Sequence, residues 1–378
     1  MKPNWEIKSL EEISIRIKDG LHKTPEYVIE GVPFISTTNL QPFSENFNFD
    51  SYVKYISKKS YKELFKNNKP LLGDVLISKC GTIGVSQLIR SNLDFGIFVG
   101  LALVTLKKEV DGKYFEYYLH SVSAQKEMDN LCTGTTRRTL ALQALKKLKV
   151  PIPPISEQKH IVEILDKSFE TIIKVKENAE NNLKNAREIF NSYLESITAD
   201  KVSLGTLVDI KTGKLDSNAA IKDGKYPFFT CSREIFAIDN FAFDCEAILL
   251  AGNNAVGDFN VKHYHGKFNA YQRTYILTVN QKNLVLYRYL YYQLLKSLSE
   301  FKQMSVGVGT KFLKIDMIKN MQISFPTLIE QQSIVKKLDS LLVETKKLED
   351  IYQHKLNNLE ELNKAILQKA FNGELTKD

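Results

Sequence analysis

The residues that come nearest to a catalytic pattern in this chain each miss it at a definite position. Gly252 and Gly257 have the spacing of a nucleotide-phosphate loop, but Asp258 and Phe259 follow where a lysine and a serine or threonine would hold phosphate and magnesium. Gly307-Val-Gly309 lacks a third glycine at dinucleotide spacing and reads as a backbone turn. His263-x-His265 can share one face of a strand, yet with no third ligand nearby the pair makes a poor zinc site. The one Pro-Pro pair, in IPPI, lacks the polar and aromatic flanks that amino-group methyltransferases place around a flipped base. No Pro-Asp dipeptide opens a nuclease carboxylate motif, and HExxH is absent. Cys80, Cys132, Cys231 and Cys245 have no C-x-x-C spacing and read as reduced, mostly buried thiols. The expectation is a chain with no catalytic site of its own.

One polar signature does recur. PIPPISEQKHIVEILD (151–166) and SFPTLIEQQSIVKKLD (324–339) align without a gap at an offset of 173. Seven of the fifteen positions from Ile152 to Asp166 are identical, among them Pro153/Pro326, Glu157/Glu330 and Gln158/Gln331, where chance gives about one. The same offset pairs Tyr114 with Tyr287, Gly134 with Gly307 and Leu140 with Leu313. Upstream, VPFIS (32–36) answers YPFFT (226–230), and GDVLISKCGTIG (73–84) answers CEAILLAGNNAVG (245–257). The architecture is a tandem duplication, with an insertion in the first copy around residues 37–68.

The elements that position these residues follow from periodicity. VLIS (75–78), LALVTL (101–106), AILLA (247–251) and TYILTV (274–279) suit strands, while residues 114–128 and 287–304 each suit one helix with its aromatics in the core. The globular parts are therefore α+β. After the prolines, Leu165, Phe169, Ile172, Ala179, Leu183, Ala186, Phe190, Tyr193 and Ile197 recur in alternating steps of 4 and 3 that only Lys176 interrupts. Leu338, Leu341, Leu348, Tyr352, Leu356, Leu359, Leu362 and Ile366 repeat the rhythm less regularly. This is a coiled-coil face, and a run of some 41 residues is about 60 Å long, so each helix needs a partner. An antiparallel pair formed by the two copies supplies it. Ser156 is expected to cap the first helix and Thr327 with Glu330 to form a capping box on the second. The prolines stop the preceding strand from running into the helix. The domains read as 1–152, a spacer 153–198, a second globular domain 199–325 and a distal spacer 326–378.

The 378 residues carry a net charge of +8, with 43% hydrophobic and 25% charged residues. Residues 157–197 and 330–371 together sum to −2, leaving +10 on the remainder, a distribution suited to a polyanion such as nucleic acid. No apolar run approaches 18 residues and the N-terminus has no signal-type apolar region, which points to the cytoplasm and away from a membrane.

A tandem pair of variable α+β domains, each ending in a glycine turn, a short helix, a P-x-x-x-EQ-x-x-IV-x-x-L-D joint and a long helix, resembles the specificity subunit of type I restriction-modification enzymes. Gly134-Thr-Thr-Arg137-Arg138 through Asp166 and Gly307 through Asp339 carry the likeness, which covers essentially the whole chain. One departure is Gly307-Val-Gly-Thr-Lys311 where the first copy has GTTRR. The resemblance implies a non-catalytic DNA-recognition subunit in which each globular domain reads half of a bipartite, asymmetric site. The helix pair would set the spacer, two methyltransferase subunits would dock, and endonuclease/translocase subunits would join them. S-adenosylmethionine, ATP and magnesium are then expected on those partners and not on this chain. Lys79, Arg137, Arg138, Arg273 and Lys311 lie in or beside loops with small neighbours and are the expected DNA contacts. Pro153, Glu157, Gln158, Pro326, Glu330 and Gln331 would lock domain to helix or seat a methyltransferase. The rival reading is a coiled-coil adaptor that joins two protein-binding domains without meeting DNA.

Overall fold

The computed structural model describes residues 5–50, 52–134, 138–280 and 284–376. They divide into two compact units, one of residues 1–179 with 354–378 and one of residues 180–353. The division falls inside the two long helices, so each unit is built from one globular domain and parts of both helices.

The first unit begins with strands β1 (Glu6–Ser9), β2 (Ser14–Asp19), β3 (Val32–Ile35) and β4 (Lys54–Ile56), then helix α1 (Lys58–Leu64). Strands β5 (Val75–Ser78), β6 (Ser86–Leu88), β7 (Gly96–Ile97) and β8 (Leu101–Leu106) follow, and then α2 (Gly112–Leu119), α3 (Val122–Asn130), α4 (Leu142–Leu145) and β9 (Lys149–Ile152). A four-stranded sheet in the order β2-β8-β5-β6 and a three-stranded sheet β4-β3-β7 carry the domain. One core lies between the larger sheet and α2–α3, around Val75, Ile77, Val104, Tyr114 and Phe115. A second core, around Phe34, Phe65, Phe95 and Ile97, lies under the smaller sheet and α1. Helix α5 (Ile155–Ser196) leaves from β9.

The second unit repeats the plan with β10 (Lys201–Ser203), β11 (Val208–Thr212), β12 (Tyr226–Phe229), β13 (Ile235–Ile238) and β14 (Phe243–Ala251). It continues through β15 (Asn253–Asn254), β16 (Val261–Ala270), β17 (Thr274–Val279), α6 (Tyr287–Lys296), α7 (Leu298–Met304), β18 (Lys311–Phe312), α8 (Ile315–Lys319), β19 (Gln322–Ser324) and α9 (Leu328–Phe371). Its sheet runs β11-β17-β14-β16-β12-β13, with the long β16 spanning what the first unit divides between β6 and β7. Each unit has one parallel strand pairing among its named strands, β3 with β7 and β12 with β16. The entering strand also pairs antiparallel with the strand before the helix, Glu6 opposite Ile152 and Lys201 opposite Ser324. Chain entry and exit therefore meet at the proline joint in each copy.

Three local expectations are corrected. The helix expected over 114–128 is two helices, because Ser121 is extended and accepts a hydrogen bond from Ala124 N, capping a new start. The helix expected over 287–304 likewise breaks at Ser297, whose hydroxyl returns to Gln293 O at 3.0 Å. Helix α5 begins at Ile155, ahead of Ser156, and its first turn closes on the Pro154 carbonyl through Gln158 N at 3.0 Å. The Thr327–Glu330 capping box is present, with Thr327 N donating to Glu330 Oε2 at 2.8 Å and Glu330 N to Thr327 Oγ1 at 3.4 Å.

The helix seam is closed where side chains allow it. Leu165, Ile172, Ala179 and Ala186, spaced by seven, are all buried. In the second unit Phe190, Leu194 and Ile197 pack with Tyr292, Leu338 and Leu341, and Arg187 pairs with Glu349 at 2.6 Å. In the first unit Leu367, Ala370 and Phe371 of α9 join the domain core. Thus the end of α9 packs near the start of α5 and the start of α9 near the end of α5, an antiparallel arrangement. Leu348 and Leu362, expected in the seam, are 36% and 45% exposed, because the α9 rhythm departs from the 4-3 alternation there. The four cysteines are free and half-buried instead of core residues. No helix among the described residues is long and apolar enough to cross a membrane.

Candidate nucleic-acid interface and the domain-to-helix joint

The repeated glutamine has no exposed surface in either copy. Gln158 Oε1 accepts from Asp111 N at 2.8 Å, and its Nε2 donates to Glu109 O at 3.0 Å and Pro153 O at 2.8 Å. Gln331 does the same, accepting from Leu286 N at 3.0 Å and donating to Leu284 O and Pro326 O, both at 2.9 Å. One carboxamide thereby satisfies three main-chain groups that the loop before α2 or α6 and the strand before the helix would otherwise leave unpaired in the interior. Full burial leaves Gln158 and Gln331 no surface for a partner protein, so their geometry is that of a lock between domain and helix.

The motif's terminal aspartate closes a second lock. Tyr117 donates its hydroxyl to Asp166 at 2.8 Å and Tyr292 donates to Asp339 at 2.5 Å. Lys113 pairs with Asp166 at 2.9 Å and Arg288 with Asp339 at 2.7 Å. Burial first, and then the carboxylate hydrogen bond, pushes both phenols far above the ordinary tyrosine range, so each remains a donor. One turn earlier, Tyr114 donates to Pro151 O at 2.7 Å and Tyr289 to Ser324 O at 2.8 Å. These pairs correct the sequence alignment: Tyr114 corresponds to Tyr289, not Tyr287. The offset is 175 through α2 and α6, and it returns to 173 because α7 is two residues shorter than α3. The adjacent glutamates diverge, since Glu330 serves the capping box while Glu157 accepts from Thr376 Oγ1 at 2.7 Å.

At the other end of β5 and β14, loops from four parts of the domain converge at a strict offset of 173. Thr133 and Thr139 exchange two main-chain hydrogen bonds, as do Val306 and Phe312. Leu140 N donates to Lys79 O and Leu313 N to Gly252 O, while Lys79 N donates to Gly100 O and Gly252 N to Arg273 O. Gly84 and Gly257 occupy equivalent left-handed turns at φ +81° and +74°. At Gly307, φ +120°, a Cβ would fall 2.1 Å from Thr310 O, so the turn admits glycine alone. The scaffold is shared, but the cations are permuted on it: Lys79 stands where the second copy has Gly252, Gly100 where it has Arg273, and Arg138 where it has Lys311.

The expected DNA contacts fare differently. Lys79 is buried and pairs with Asp19, so its ammonium is already neutralised. Arg138 is half-exposed and held by Asp129 at 2.6 Å. Arg137 lies outside the described residues. Arg273 lies over the Phe312 ring at 5.1 Å, beside Lys311 in β18, so the structure brings these two together. Sequence reasoning missed two cations on the same rim: Arg233, paired with Asp258 at 2.8 Å, and Lys262, whose pKa burial lowers and whose ammonium reaches Ser232 O at 2.6 Å. His263 faces Glu246 at 2.8 Å, and among the described residues no group of three or more His, Cys, Asp or Glu could hold a metal ion.

A duplicated α+β domain, fixed to a long helix by a buried glutamine and carrying a glycine-turned loop end in each copy, defines a tandem recognition-domain protein. The chain belongs to the family of type I restriction modification DNA specificity domains, which matches residues 2–185 and again 197–361. Among curated relatives, the EcoDI specificity subunit of Escherichia coli is 39% identical over 177 residues, 47% of this chain and 38% of that protein. In that match the chain spans well under half of the relative's length. The MjaIX specificity subunit of Methanocaldococcus jannaschii is 21% identical over 424 residues, covering 98% and 94% of the two chains. Among solved structures, the HsdS subunit of Thermoanaerobacter tengcongensis has a TM-score of 0.59 at 18% identity, covering 99% and 98%. A chain solved in work on complex assembly and conformational transition of a type I restriction-modification system reaches 0.79 at 18% identity, covering 99% of both. These two likenesses show the fold.

Proposed function

We propose that this chain is the non-catalytic DNA-recognition subunit of a type I restriction-modification complex, and that each globular domain reads one half of a bipartite, asymmetric site. The helix pair sets the spacer and docks two methyltransferase subunits, and endonuclease/translocase subunits join that core in the cytoplasm. S-adenosylmethionine, ATP and magnesium belong to those partners. The observation that carries the reading is the repetition of one scaffold, bond for bond, with different cations on its loop end. Two copies of one frame with different surfaces suit two half-sites of different sequence. Lys and Arg of the rim, Arg273 and Lys311 foremost, anchor phosphates, while bases are read through the groove.

The test is co-expression with a neighbouring methyltransferase subunit, followed by mapping of modified adenines. A bipartite motif with a fixed gap is expected. Methylation of an uninterrupted motif would remove the one-domain-one-half assignment, and no methylation, together with DNA binding that does not fall with salt, would favour the coiled-coil adaptor.

A further inference from the structure

Helix α1 belongs to the first copy alone. Between β4 and β5 the first unit spends residues 57–74, whereas the second passes from β13 at Ile238 to β14 at Phe243. The excursion is well built: Ser57 caps α1 through Ser60 N at 3.1 Å, and Tyr61 and Phe65 are buried, Phe65 edge-on to Phe34 at 6.4 Å. Its outer face is cationic. Lys58, Lys62, Lys66 and Lys69 line an open groove of about 440 Å³ with Tyr61 and Phe65 at its base and Asp94 as its one acid.

Asp94 is already committed. Lys69 pairs with it at 2.7 Å and Tyr61 donates to it at 3.3 Å, and the Lys69 hydrogen bond leads in holding its carboxyl below the usual range. Lys58, Lys62 and Lys66 are exposed, and no ion pair among the described residues involves them. Lys58 and Lys62 stand four apart on one face of α1 and Lys66 follows just past its C-cap Phe65, so the pair on the helix repels by some tenths of a kcal/mol. A polyanion relieves that repulsion and gains from it.

We propose that the α1 lysine face is a phosphate-backbone clamp for duplex DNA, present on the first recognition domain and absent from the second. The assignment rests on the DNA-recognition reading above and adds a specific surface to it. The clamp strengthens binding without contributing sequence information, because phosphates are common to all sequences.

The test uses the full chain in complex with its co-expressed methyltransferase subunits, titrated with duplex DNA between 50 and 200 mM KCl. Each phosphate contact contributes about 0.9 to the slope of log affinity against log salt, so K58Q/K62Q/K66Q is expected to flatten the slope by about 2.7. Its affinity then falls about 40-fold less than the parent's over that range. The methylated motif is expected to stay the same, K58R/K62R/K66R to keep the parental slope, and Lys336, Lys337 and Lys346 all changed to Gln on α9 to leave it unaltered. A parental slope in K58Q/K62Q/K66Q, in a complex that does bind duplex, overturns the clamp while leaving the functional reading intact. So does tight competition by inorganic phosphate alone, which would mark a small-anion pocket. If the parent complex fails to bind duplex at all, the functional reading falls first.

Discussion

A glutamine that repeats in sequence is ordinarily read as a surface contact, and here the repeat reports burial. Gln158 and Gln331 each close three hydrogen bonds to main chain, and the loop residues they hold are unlike: Glu109 and Asp111 in one copy, Leu284 and Leu286 in the other. A lock made to backbone atoms is indifferent to those side chains, which is why the glutamine repeats and its partners do not. The proline positions, the apolar rhythm and the glutamine itself were legible in the sequence. The partner atoms were not, because a main-chain acceptor leaves no trace in residue type. Lys79 was misleading for a related reason, since its burial depends on Asp19, sixty residues away, and no local pattern announces such a pair. Gln158→Leu is expected to cost about 2–4 kcal/mol, because it strands a buried N–H and two carbonyls at once. Gln331→Leu should cost a similar amount in the second unit, and Glu157→Ala much less. Amide hydrogen exchange reads this directly: Asp111 N–H should lose protection in the first variant and Leu286 N–H in the second. Retained protection would show that the loops stand without the lock.

Among the elements, the long helices were the most legible and their ends the least. A 4-3 alternation sustained over forty residues has few structural solutions, and α5 runs from Ile155 to Ser196 much as its rhythm requires. The boundary inside residues 114–128 was hidden because the apolar pattern continues across it. Ser121 competes as a cap only once His120 is drawn back, its Nε2 within 3.1 Å of the Ser86 carbonyl. The two-residue change of offset at α2 and α6 was equally invisible, since tyrosines crowd both helices and any of several could be paired. Within the seam, burial of Leu165, Ile172, Ala179 and Ala186 at steps of seven fixes the phase that an insertion must respect. Seven residues added in phase to both helices should keep these faces together and lengthen the gap in the methylated motif without changing its two halves. Four residues added to both would turn each face by about 40° past a full turn, against about 20° short of two turns for seven, straining the knob-into-hole register, and are expected to lower activity. A gap unchanged by the seven-residue insertion would mean that the helices do not act as the ruler.

At the scale of the whole chain, neither globular domain owns all of its core. Phe371 of α9 stacks edge-on to Tyr114 and Tyr118 at 5.3 Å each and is 4% exposed, so the core of the first unit is completed by a residue more than two hundred positions away along the chain. Phe190 meets Tyr292 at 6.0 Å in the second unit, where α5 makes the matching contribution. The helices carry close to balanced charge and the globular parts carry the excess of positive charge, so the parts that would meet a polyanion are also the parts that vary in their loops. That separation makes the domains exchangeable in principle. Residues 6–152 could be replaced by the corresponding domain of another family member, provided the donor keeps a tyrosine at the position of Tyr114 for the Pro151 carbonyl and for Phe371, and one at Tyr117 for Asp166. The Gln158 bonds ask nothing of the donor's side chains. Such an exchange is expected to alter one half of the methylated motif and leave the other half and the gap as they were. A change in both halves would mean that the two domains read the site jointly, and a lost first half with an unaltered second would mean that the exchanged domain had folded without presenting its loop end.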